Sequence, residues 1–111
     1  MELQEYYDDL VTQFHLIRDL EYVDDNSVDI LQEAIEDIVR DMEKITSVYT
    51  QFAVVWDVND LRRELGQLKR SYNLEKSVRS RKNSFIGIKK EVNTCSKSIL
   101  SQLNEFFERN S

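Results

Sequence analysis

Residues 27–56 read SVDILQEAIEDIVRDMEKITSVYTQFAVVW, and no Gly or Pro interrupts them. Their apolar residues recur at alternating steps of three and four: Val28, Leu31, Ile35, Ile38, Met42, Ile45, Tyr49, Phe52 and Trp56. We call these residues the heptad seam. The spacing is typical of a helix that packs along its length against other helices. The seam therefore predicts an architecture and indicates no chemistry.

The composition of the whole chain favours the same architecture. Its 111 residues include two Gly and no Pro, and 41% are hydrophobic. An all-β fold needs turn residues every few positions, and this chain lacks them. We expect an all-α fold in a single domain, residues 1–111. The predicted arrangement is an antiparallel bundle of three to four helices with coiled-coil-like heptad packing.

Extending the periodicity along the chain predicts four helices, at about residues 2–23, 27–56, 58–73 and 84–108. The basic polar segment at 73–84 is expected to be either a mobile connection or an exposed helical arm, and Asn26 or Ser27 should cap the second helix. The heptad register changes at 57–60. This change favours a turn there, with a continuous helix as the alternative. Gly87 falls inside the last helix, where it either weakens the helix or marks a close helix–helix approach.

Mutational expectations follow from the seam. Ile38→Asp or Ile45→Asp should unfold the protein, because an unpaired buried carboxylate is costly. Glu36→Ala or Asp41→Ala should change stability little. The seam is also longer than either short neighbouring helix can cover alone. Either these two helices stack end to end beside the seam, or another chain covers it, and we favour the second alternative, a self-associated dimer.

The cellular location is predicted from segments that the sequence lacks. No apolar run approaches the roughly 20 residues of a membrane-spanning helix. The acidic start, MELQE, does not resemble a cleaved secretory signal. The single cysteine, Cys95, cannot form an internal disulfide. We expect a cytoplasmic protein, with export that uses no cleaved signal as the alternative.

Catalytic, cofactor and metal sites have no support in the sequence. His15 is the only histidine and Cys95 the only cysteine, too few ligands for a structural zinc site. No phosphate-binding Gly-rich loop and no nucleophile-elbow motif occur. The many carboxylates are spread over helix faces. We therefore expect no catalytic residues, no cofactor, no metal and no enzymatic activity.

The charges are distributed very unevenly. Residues 1–60 carry 16 acidic and 3 basic side chains, a formal charge of −13. Residues 61–111 carry 5 acidic and 12 basic side chains, a formal charge of +7, and the two halves account for the net −6. The two halves could neutralise each other within the fold. Alternatively, one half is a surface that steers a partner.

A non-enzymatic protein–protein interaction module is the function that these features favour. Such an adaptor, inhibitor, immunity-type protein or complex subunit would act by helix packing and charge complementarity on a helical protein partner. Aromatic anchors near the central turn and the basic stretch of residues 62–90 supply the candidates. The candidate partner-binding residues are Phe52, Val55, Trp56, Arg62, Arg63, Arg70, Arg79, Arg81 and Lys82.

Two alternative functions belong to other classes. With its length near 100 residues and Trp56 at a central turn, the chain resembles the small WXG100-type proteins of type VII secretion. That resemblance implies a secreted helical protein, although Asp57 and Val58 follow the tryptophan where the motif has a glycine. The other alternative is a nucleic-acid link, through the basic 62–90 stretch or through an acidic DNA mimic at 1–60. We expect no duplex binding at physiological salt, since the net charge is negative.

Overall fold

Three long helices form most of the structure. The computed structural model describes residues 3–48, 59–63, 66–67, 70 and 78–109. Helix α1 is Leu3–Asp19, α2 is Asp25–Val48 and α3 is Val78–Arg109, and residues 59–63 are helical as well. No strand occurs in these ranges. The all-α prediction is therefore confirmed for the described part of the chain.

One apolar core is shared by the three helices and residue 61. The seam residues Val28, Leu31, Ile35, Ile38, Met42 and Ile45 of α2 are all buried in it. The rest of the seam, from Tyr49 onward, lies outside the described residues. Other core members are Leu10, Phe14, Ile17, Ala34, Val39, Leu61, Phe85, Ile88, Val92, Ile99 and Leu103. Burial of an aliphatic side chain contributes about 1.5–3 kcal/mol, so this core is the main source of stability.

Helix α1 packs against both α2 and α3. The end of α1 meets the start of α3, where the ammonium of Lys89 reaches the carbonyl of Leu20. Earlier residues of α1, such as Phe14, lie across a hollow from later residues of α3, such as Leu100. The two helices therefore run in opposite directions. At about 1.5 Å per residue, α3 is about 48 Å long, which matches the 50 Å long axis of the molecule.

The first helix ends four residues earlier than the expected 2–23. The amide of Leu20 donates to the carbonyl of Ile17 at 3.3 Å, a tighter turn that closes α1. Val23, the last residue of the expected first helix, lies beyond its end and is 81% exposed. The second helix begins at Asp25 rather than residue 27. Its cap is Asp24, not Asn26 or Ser27.

Of the two alternatives for the basic segment 73–84, a mobile connection or a helical arm, the structure shows a helix over residues 78–84, which form the first two turns of α3. This segment has few apolar residues, but it also has no Gly or Pro to end a helix. Contacts from the α1–α2 connection to Arg81 and Phe85 hold it in place. Residues 73–77 lie outside the described ranges. The same is true of residues 57–58, so the expected turn at 57–60 is described only at Asn59 and Asp60, which are helical.

Two further expectations are corrected at single residues. A Cβ placed on Gly87 would meet nothing within 4 Å, so this glycine marks no close helix–helix approach. Asp41 was expected to tolerate replacement as a surface residue would. It is instead 8% exposed, and its Oδ2 atom has no hydrogen-bond partner among the described residues.

Candidate partner-binding groove

The connection between α1 and α2 is held by a reciprocal capping arrangement. The Asp24 carboxylate accepts a hydrogen bond from the amide of Asn26 at 2.9 Å. In return, the Ser27 hydroxyl oxygen accepts from the amides of Val23 at 3.0 Å and Asp24 at 3.4 Å. These bonds satisfy backbone donors that would otherwise be left free at a helix start. The connection therefore has a defined conformation from which Tyr22 can reach α3.

Tyr22 attaches this connection to the start of α3. Its ring meets the ring of Phe85 edge to face, with 5.6 Å between centroids. Its hydroxyl donates to the Asp25 carboxylate at 3.2 Å. Arg81 approaches the same carboxylate oxygen through Nε at 3.4 Å. One carboxylate on α2 thus joins a side chain of the connection to a side chain of α3.

Lys89 caps the C-terminal end of α1. Its ammonium donates to the carbonyl oxygen of Leu20 at 2.7 Å. A cation at this position complements the partial negative charge at a helix C-terminus. Tyr22, Arg81 and Lys89 together fix α3 beside the connection, and they leave a groove between them.

The groove has an apolar floor and polar walls. Its wider part, about 620 Å³, lies between residues 20–22 and the side of α3 that carries Phe85 and Ile86. A second hollow of about 390 Å³ lies between α1 and α3. Asn93 and Lys97 line both, so the two hollows lie next to each other along α3, and we call them together the groove.

Lysines dominate the wall that α3 contributes. Lys82, Lys89, Lys90 and Lys97 all line the wider part, at steps of seven, one and seven residues. At about 100° per residue these steps keep them within a stripe about 100° wide, about 22 Å long. We call these four residues the lysine face. Glu21 is the acidic residue among those that line this part of the groove.

Most of the lysine face is electrostatically uncompensated. Lys82, Lys90 and Lys97 are exposed and form no ion pair within the described part of the chain. Lys89 is bound to a carbonyl, which leaves its charge in place. At the centre of the face, Ile86 is 50% exposed. The site can therefore attract carboxylates and bury apolar surface at the same time.

The structure separates the candidate residues predicted from the sequence. Phe52, Val55 and Trp56 lie outside the described residues. Arg62 pairs with Glu43 of α2, and Arg63 pairs with Asp60 at 3.0 Å.

Arg81 pairs with Asp25 and has a side chain only 21% exposed, so it belongs to the fold. Arg70 and Arg79 are exposed. Of the six candidates that the structure describes, only Lys82 lines the groove.

Several groove residues were not predicted from the sequence, although one signal was available. Lys97 lies beyond the 62–90 stretch, and the exposure of Ile86 was not expected. The recurrence of lysine at steps of seven along one helix could have indicated a charged face. Residues 20–22 carry no such signal, because only the fold brings them to α3.

Chemically reactive groups are scattered rather than assembled. Among the described residues, no group of three or more His, Cys, Asp or Glu side chains could hold a metal ion. His15 lines the second hollow, and Cys95 is a half-buried free thiol beside the core. None of the helices described here has the length and apolarity needed to cross a membrane.

Comparisons with known proteins give no assignment. No protein-family model, curated protein sequence or solved structure matches the chain.

Proposed function

We propose that the chain is a non-enzymatic protein–protein interaction module whose groove binds an acidic, helical surface of a partner protein. In this proposal the helices form an antiparallel bundle with heptad-like packing, which acts as a rigid support. The lysine face attracts carboxylates, and the groove floor buries apolar side chains. The partner would be occluded or scaffolded without bond chemistry.

The unpaired lysines of the groove are the observation that carries this proposal. Some basic side chains elsewhere form ion pairs within the fold: Arg62 pairs with Glu43, and Arg81 with Asp25. Lys82, Lys90 and Lys97 have no such partner among the described residues. Their position beside Ile86 is typical of a protein-binding surface, where charges surround an apolar centre.

The small energy of each exposed ion pair favours binding of moderate affinity that weakens as salt is added. Exposed ion pairs contribute about 0–1 kcal/mol each, so three lysines supply specificity more than affinity. The net charge of −6 does not prevent binding to acids. At physiological salt the Debye length is about 8 Å, so a close partner senses the lysine face more than the distant acidic residues.

The test uses a labelled amphipathic peptide of about 16 residues, with leucines on one helical face and glutamates elsewhere. Fluorescence anisotropy should show binding to the native protein. The variant Lys82→Glu/Lys90→Glu/Lys97→Glu should lose that binding and keep the native melting temperature. Arg70→Glu is the matched control, because Arg70 is exposed and does not line the groove.

Two outcomes would contradict the proposal. One is equal peptide binding by the native protein and the triple variant. The other is tight binding of a random-sequence DNA duplex that falls steeply with salt, which would favour a nucleic-acid function.

A further inference from the structure

The outer face of α2 is complementary to the groove. Ile30 is 43% exposed on this face, although most of the aliphatic residues around it are buried. Asp29 precedes it and Glu33 lies one turn beyond, and both are exposed. Neither carboxylate forms an ion pair within the described residues. Asp37, one turn further along, pairs with Arg40 at 3.1 Å. We call Asp29, Ile30, Glu33 and Asp37 the acidic face.

The charged residues of the two faces have partly matching spacings. On α3, Ile86 lies midway between Lys82 and Lys90, which are eight residues or about 12 Å apart. On α2, Asp29 and Asp37 are also eight residues apart, with Ile30 directly after Asp29 and Glu33 about one turn beyond Ile30. Each face therefore presents one exposed isoleucine between like charges, which are positive on one face and negative on the other.

We propose that the groove of one copy of this chain binds the acidic face of a second copy, forming a two-fold symmetric dimer. This inference rests on the proposed function, because it names the acidic helical partner of the same groove. In a two-fold dimer each contact occurs twice. Both isoleucines of each copy would be covered, and two lysine faces would be compensated by two acidic faces.

Charge swapping tests the dimer directly. Groove variant Lys82→Glu/Lys90→Glu and face variant Asp29→Lys/Glu33→Lys should each raise the dimer dissociation constant about tenfold or more, because like charges then meet at both symmetric contacts. An equimolar mixture of the two variants should recover the dimer. In that heterodimer one contact has both charges reversed and the other has both native charges.

The readouts are sedimentation equilibrium and native mass spectrometry, up to a protein concentration of about 100 µM. We expect the native protein at twice the 13.2 kDa chain mass. The mixture should give a species whose mass is the sum of the two variants. All four substituted residues are exposed. Each variant should therefore melt within a few degrees of the native monomer.

Three outcomes would overturn the inference: a native protein that stays at 13.2 kDa, dimers that persist in both variants, or a mixture that stays monomeric. The peptide experiment separates these failures from failure of the proposed function. A native monomer that still binds the acidic peptide through its lysines has a groove for a different protein. A native monomer that does not bind the peptide contradicts both proposals.

Discussion

The carboxyl group of Asp41 on α2 is buried against that of Asp9 on α1. Burial is the main cause that raises the pKa of Asp41, from its usual 3.8 to about 7. The neighbouring carboxyl groups of Asp9 and Asp37 act in the same direction, and Lys44 opposes them. The interface between α1 and α2 therefore holds a proton that the unfolded chain would release near pH 4.

This proton makes stability depend on pH. Below about pH 4 the Asp41 carboxyl is protonated in both the folded and the unfolded chain, so it does not change the free energy of unfolding. Between about pH 4 and pH 7 only the unfolded chain loses the proton, so the free energy of unfolding falls as pH rises. Above about pH 7 Asp41 is ionised in the folded protein as well, and the buried charge lowers the free energy of unfolding by on the order of a few kcal/mol.

Asp41→Asn should remove this dependence. The neutral amide keeps the shape of the side chain and can donate to the Asp9 carboxylate. We expect the variant to be more stable than the native protein by about 2 kcal/mol near pH 8 and similar to it near pH 4. Urea unfolding followed by circular dichroism at several pH values measures this difference. Glu33→Gln, on the exposed face of the same helix, is the control. Native and Asp41→Asn stability curves that run parallel with pH would contradict the explanation.

The packing of α1 can be tested by making the same Leu→Ala substitution at a buried position and at an exposed position. Leu10 is fully buried, whereas Leu16 on the same helix is 41% exposed. Leu10→Ala should lower the free energy of unfolding by about 2–5 kcal/mol, because it removes buried methyl groups and leaves a cavity. Leu16→Ala should cost less than about 1 kcal/mol. Denaturant midpoints at equal protein concentration give both values, and similar losses would mean that α1 is packed differently.

The buried seam residues of α2 were predicted correctly from the sequence, but the burial of Asp41 on the same helix was not. Steps of three and four identified every buried seam residue from Val28 to Ile45, because burial along a helix follows its period. The same pattern does not predict Asp41. It lies beside the seam, three residues after Ile38, where α1 widens the buried stripe. Whether such a flanking position is covered depends on the neighbouring helix.

Helix α3 shows a second limit of sequence reasoning. Residues 78–84 have few apolar side chains, so periodicity gives no helical signal there. Their order comes from Tyr22, Asp25 and Phe85, which the fold brings together. The groove also depends on the fold. Its lysines can be located from the sequence, but residues 20–22, which form its opposite wall, cannot.

Gly87 offers a simple gain in stability. It lies inside α3 and is exposed, and neither glycine has a positive φ angle. A Cβ at this position would contact nothing within 4 Å. Gly87→Ala should therefore stabilise the protein by about 1 kcal/mol, through the higher helix propensity of alanine. Thermal unfolding measures the gain. A lower melting temperature would mean that α3 bends or contacts another segment here.

The Asp25–Arg81 pair should contribute more to stability than its surface position suggests. The Arg81 side chain is 21% exposed and its Nε is buried, while Asp25 also accepts the Tyr22 hydroxyl. Arg81→Gln or Asp25→Asn should each lower the free energy of unfolding by about 1 kcal/mol. The double variant should lose less than the sum, since the second change has no pair left to break.

Arg79→Gln, two residues away and exposed, is the matched control and should change stability little. A strictly additive double-mutant cycle, or an equal loss in Arg79→Gln, would show that the pair does not hold α3 against the connection.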